Sequence, residues 1–125
     1  MAQIKTVALF KSTKVGALGT AGTILSDRIN LADVETAPQT FSLSYGIAST
    51  NAGGAGTAGS STFQYLCSPT EDGTYVVLGT FGTQGNGPAQ SGFYSFSPTL
   101  APFMKIQAVS GTSAPALVTA ELHMR

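Results

Sequence analysis

The sequence predicts an all-β fold, a single-domain antiparallel β-sandwich of about eight strands with jelly-roll or Greek-key connections. Three observations predict it. Large apolar residues alternate with small or polar ones in several short runs, the period-two pattern of a strand with one buried face. Turn residues break those runs at short intervals. Helical periodicity is missing, and 15 glycines in 125 residues work against helices.

Residues 4–10 and 23–31 read as the weaker strands of the N-terminal part. Phe41, Leu43, Tyr45 and Ile47 then alternate with Ser42, Ser44 and Gly46. Residues 48–61 are almost wholly Ala, Ser, Thr, Asn and Gly. They offer little to pack and carry high backbone entropy, which predicts a loop ordered only by a partner. Phe63, Tyr65 and Cys67 line one face of the next strand, with Gln64 and Ser68 opposite. Residues 69–73 are predicted to close a hairpin, with Asp72-Gly73 supplying the positive φ angles of a tight turn. Residues 75–81 are rich in strand formers, 82–92 form a longer polar loop, and 93–97 give another weak strand. Pro102 fixes the start of 103–109, where Met104, Ile106 and Ala108 face away from Lys105 and Gln107. Residues 110–115 are predicted to join the last two strands as a second hairpin. In the final strand Val118, Ala120, Leu122 and Met124 oppose Thr119, Glu121 and His123.

The chain of 125 residues suits one domain, 1–125. A hydrophobic fraction of 42% is ordinary, whereas a charged fraction of 10% is far below the usual quarter or so. Six basic and six acidic residues cancel. Without a basic stripe, nucleic acid and anionic membrane surfaces are poor partners. A neutral, charge-poor exterior is also weakly defended against association, so neighbouring subunits are expected to cover it. No run of about 18 apolar residues suggests a membrane span. The first ten residues lack the apolar centre and cleavage site of a signal peptide, which predicts no secretory route. The single cysteine, Cys67, lies in an apolar run and reads as a small buried side chain.

No catalytic, cofactor-binding or metal-ligating residues are assigned. With one His and one Cys, zinc lacks ligands, and Asp27, Asp33 and Glu35 read as solvated strand ends instead of a calcium loop. Cys67 and His123 are expected on a buried and an exposed face respectively, so they do not make a nucleophile–base pair. Glu71 and Asp72 are adjacent in a turn, unlike the separated carboxylates of a glycosidase. Gly53-Gly54-Ala55-Gly56 lacks the Lys and Ser or Thr of a phosphate loop. Tyr75, Phe93, Tyr94 and Phe96 are the rings that would offer sugar platforms, but they are expected to fill the core. The sequence therefore predicts a protein that is not an enzyme and takes no small-molecule substrate.

Several stretches resemble small structural proteins of phages and prophages: Glu71-Asp72-Gly73-Thr74-Tyr75, Leu78-Gly79-Thr80, Phe96-Ser97-Pro98, Ala101-Pro102-Phe103-Met104-Lys105-Ile106, Ser110-Gly111-Thr112 and Val118-Thr119-Ala120-Glu121-Leu122. The resemblance covers about residues 40–125 and rests mainly on turn residues; the family often has Trp where this chain has Tyr75. It implies a β-sandwich virion protein of the capsid decoration (cement) type. Such a protein binds the major capsid protein and stabilises the assembled shell, as a homo-oligomer for which a trimer is favoured. Its location would be the virion, assembled in the host cytoplasm. The other roles it implies are a sugar-binding module of a tail fibre or baseplate, with rings around 82–97, and a neck or tail-completion component. The N-terminal forty residues lack a clear counterpart, and residues 1–18 are expected to form an N-terminal arm. Residues 2–18 and 48–61 are the expected contact segments.

Overall fold

Alternation decides which side of each strand is buried, and the buried sides face one another across two sheets. The computed structural model describes residues 5–15, 22–31, 41–49, 61–84, 90–97, 101–110 and 116–124. Its strands are β1 (Lys5–Val15), β2 (Thr23–Leu25), β3 (Ile29–Asn30), β4 (Phe41–Ser49), β5 (Ser61–Ser68), β6 (Val76–Gln84), β7 (Gln90–Phe96), β8 (Phe103–Ser110) and β9 (Ala116–Met124). One sheet has the order β1-β9-β4-β7; the other runs β2-β8-β5-β6, with β3 also paired to β8. Every pairing is antiparallel.

The pairings mirror one another about the 69–75 turn. β5 pairs with β6 and β4 with β7; β2 and β3 pair with β8, and β1 with β9. With β2 and β3 counted as one interrupted strand, the chain is a long four-pair hairpin wound into two sheets, which is the jelly roll. Ser26 bridges the interruption. Its backbone N–H donates to Ile106 O at 2.8 Å, and its buried hydroxyl accepts from Ile106 N at 3.0 Å. The side chain thus supplies the acceptor that a regular strand would offer from its backbone.

Between the sheets lie Phe41, Leu43, Ile47, Val118, Leu122 and Met124 from the first, and Phe63, Cys67, Met104 and Ile106 from the second. On the β6–β7 side the core is aromatic: Phe81 meets Phe96 at 4.7 Å and Tyr94 at 5.5 Å between ring centroids, and Tyr65 meets Phe96 at 5.4 Å. Two strand glycines make room for it. A Cβ at Gly79 would lie 2.2 Å from Cε1 of Tyr65, and one at Gly92 would lie 2.7 Å from the Tyr45 hydroxyl. Each tyrosine lies opposite its glycine in register, so its ring occupies the space a side chain would take.

Three expectations need correction. Residues 5–15 are not an arm: β1 pairs with β9 along its length, and Phe10 and Val15 are buried. The 110–115 connection is not a hairpin, because β8 and β9 belong to different sheets. The turn at 70–73 does form, with Gly73 N donating to Thr70 O at 3.3 Å, but Asp72 has no positive φ and Gly73 lies outside the left-handed region. Glycine is needed there for space, since a Cβ would lie 2.2 Å from the Thr70 hydroxyl oxygen and 2.8 Å from that of Ser68. Of the expected contact segments, 2–4, 16–18 and 50–60 lie outside the described residues, as do Asp33 and Glu35.

Candidate functional site

Strand edges are where a sandwich meets other chains, because their outer N–H and C=O groups are unpaired. The edge strands here are β1 and β7 in one sheet, and β6 with the β2–β3 pair in the other. β6 differs from ordinary edges in chemistry. Its sequence, Val-Val-Leu-Gly-Thr-Phe-Gly-Thr-Gln, contains no charge. Val76, Val77 and Leu78 are 54%, 42% and 45% exposed. The register with β5 slips at Leu78 and again between Phe81 and Thr83, so the strand carries two bulges. Bulges bend an edge and interrupt its hydrogen-bonding row, which discourages strand addition. What remains for a partner is the aliphatic side chains.

The surface beside that edge is also apolar. Leu66 points away from the core on β5 and is buried nonetheless, opposite Val77 on one side and Lys105 on the other. The Lys105 ammonium sits 4.4 Å from the centre of the Tyr75 ring, and to reach it the side chain must cross the strand carrying Leu66. Its stem therefore covers apolar surface while its charge stays outside. The Tyr75 hydroxyl donates to Glu71 O at 2.9 Å, and Glu71 pairs with Arg28, tying the β2–β3 segment to the turn. This end of the sheet is thus held in shape, although an ion pair half open to water adds little stability.

The outer face of the first sheet is different, being floored by small hydroxylated residues. His123 bridges two strands, its Nδ1 at 3.0 Å from Thr6 Oγ1 and its Nε2 at 2.8 Å from Ser44 Oγ. A hydroxyl beside an imidazole is the first requirement of nucleophilic catalysis. The rest of the arrangement works against it. The second nitrogen meets a hydroxyl instead of a carboxylate, and the residue opposite Ser44 on β9 is an acid, Glu121, not a hydrogen-bond donor of the kind an oxyanion needs. Phe93 is 72% exposed on this face, with its ring centre 6.4 Å from that of His123.

Cys67 and His123 lie apart, the first buried between the sheets and the second on the far side of the first sheet. Burial pushes the Cys67 thiol above its ordinary range. Glu71 and Asp72 both face Arg28, not each other, and Asp27 is exposed beside it. Among the described residues no three His, Cys, Asp or Glu side chains gather as metal ligands. The four rings divide: Tyr94 and Phe96 pack on the core, Tyr75 lies on the outer face of the second sheet, and Phe93 projects into solvent. The exposed β6 trio was missed by sequence reasoning because Val-Val-Leu reads as a buried run; only its edge position opens it. Compared with known proteins, the sequence matches no family model and no curated protein.

Proposed function

We propose that this protein is a structural subunit of a bacteriophage virion. It coats the outside of an assembled shell as a decoration or cement protein, bound to the major capsid protein and arranged as a trimer. The observation that carries the reading is the uncharged β6 edge with its three exposed aliphatic side chains. A stable lone protein gains nothing from such a row, whereas a subunit held against neighbours buries it, at about 25 cal/mol per Å² removed from water. The formally neutral, charge-poor exterior is consistent with this, since little desolvation of charge opposes close packing. Jelly rolls are frequent in viral capsids, though they serve lectins as well, so the fold supports the reading without fixing it. Many copies on one shell would let modest contacts act together.

The test is to mix purified protein with shells assembled from the major capsid protein of the same genome and pellet them. Saturable co-sedimentation, with a threefold stoichiometry by analytical ultracentrifugation of the free protein, is the expected result. A monomer that stays in the supernatant at all concentrations overturns it.

A further inference from the structure

Of the edges that bound the two sheets, all but one are unsuited to taking a further strand. β1 and β6 each slip in register twice. β2 and β3 are only three and two residues long, with a break between them. β7 has none of these guards. It pairs with β4 over seven consecutive residues, from Phe41 with Phe96 to Ile47 with Gln90, without a slip. Its sequence, Gln-Ser-Gly-Phe-Tyr-Ser-Phe, holds no charge and no proline. Among the described residues, no strand pairs on its far side. A regular, uncharged edge is a template for another strand, because its backbone keeps one hydrogen-bonding rhythm along its length.

The side chains say which strand fits. Phe93 is the middle residue of β7, and Ser91 and Ser95 flank it on the same exposed face. That face reads alike in both directions: a hydroxyl, a ring, a hydroxyl. A second β7 laid antiparallel and centred on Phe93 would set Phe93 opposite Phe93, and Ser91 opposite Ser95 at either end. No charge meets its like. The Phe93 ring is 72% exposed and leans over β4, its centre 6.4 Å from that of His123. A second ring directly across the seam would cover it, and facing aromatic and hydroxyl pairs are among those that stabilise antiparallel strands.

We propose that two copies of this chain join at β7 about a two-fold axis. Their four-stranded sheets then run on as one sheet of eight. The same patch serves both partners, as a closed two-fold interface requires. One strand of seven residues is far smaller than the roughly 20 to 30 residues a side of a standard interface. The contact is therefore weak in free solution and takes hold where copies are already held close. It uses a different edge from β6 and stands whether or not that edge meets a shell.

The test is register. Opposite residues of an antiparallel pair have Cα atoms about 4.5 to 5.5 Å apart, within disulfide reach, whereas Ser91 in one copy would lie about 13 Å from Ser91 in the other. Full-length Ser91→Cys and Ser95→Cys variants are oxidised in air, each alone and as an equal mixture; Cys67 is buried and takes no part. A covalent dimer is expected in the mixture, with little in either variant alone. Sedimentation velocity of the wild type should show the dilute species doubling in mass as the concentration approaches about 1 mM. The double variant Ser91→Lys, Ser95→Lys sets like charges opposite one another, so it should lose the doubling while its melting temperature holds. Equal cross-linking in all three samples, none in the mixture, or a wild type of constant mass overturns the proposal. So does a folded lysine variant that doubles as the wild type does.

Discussion

The two long edge strands, β1 and β6, solve the same problem differently. Both carry two bulges, so neither offers a clean hydrogen-bonding row to another chain. β1 adds charge, with Lys11 and Lys14 exposed on it, the usual guard against edge association. β6 adds none, and shows Val76, Val77 and Leu78 to solvent instead. The difference teaches that bulges interrupt the hydrogen-bonding row of both edges alike, so what distinguishes them is the chemistry of their side chains. One edge carries exposed charge, the other exposed aliphatic side chains.

The most severe way to break the comparison is to remove β1. Deleting residues 2–15 leaves β9 without a neighbour on one side and takes Phe10 and Val15 from the core. Loss of the cooperative unfolding transition by circular dichroism is expected; a deletion mutant that still melts as a sandwich would return this segment to the status of an arm. A milder form is Phe10→Ala, which should cost about 3 to 5 kcal/mol in urea denaturation.

On the β6 side, Gly79→Ala drives a methyl group into the Tyr65 ring, which Phe81 and Phe96 hold in place. A loss of about 1 to 3 kcal/mol is expected, the usual effect of overpacking. Smaller still is a pH effect reported by Cys67, which lies opposite Val76 beneath the same edge. Burial raises its thiol pKa, so the folded chain keeps a proton that the unfolded chain releases. Its contribution to stability is complete below about pH 8.5 and is lost as pH rises through the raised value. Urea midpoints of the wild type should therefore fall relative to Cys67→Ala between pH 8 and 10. Parallel curves would mean that water already reaches the thiol through the edge. The smallest effect belongs to Arg28→Ala, expected to cost under about 1 kcal/mol because its ion pair with Glu71 is half exposed.

These contrasts also explain what could be read in advance. In β4, β8 and β9 the buried residues fall at every second position, so period two found their faces directly: Leu43 and Ile47, Met104 and Ile106, Val118 and Leu122. β1 breaks that rule. Its extra residues put Val7, Phe10, Thr13 and Val15 on the inner side, a spacing of three, three and two that no simple period detects. Sheet membership was illegible for another reason. Alternation says which side of a strand is buried, not which strand lies next to it, so 110–115 read as a hairpin though β8 and β9 sit in opposite sheets. The same limit hid the candidate surface. Val76 to Leu78 are exposed because, among the described residues, no strand pairs beyond β6.

The most direct test replaces Val77 and Leu78 together with lysine, giving β6 the guard that β1 already has, and repeats the co-sedimentation with capsid shells. The expected outcome is a variant whose melting temperature stays within about 4 °C of the wild type, since both sites are exposed, but which remains in the supernatant. A variant that folds and pellets as fully as the wild type would contradict the claim that the uncharged edge is where this protein meets its partner.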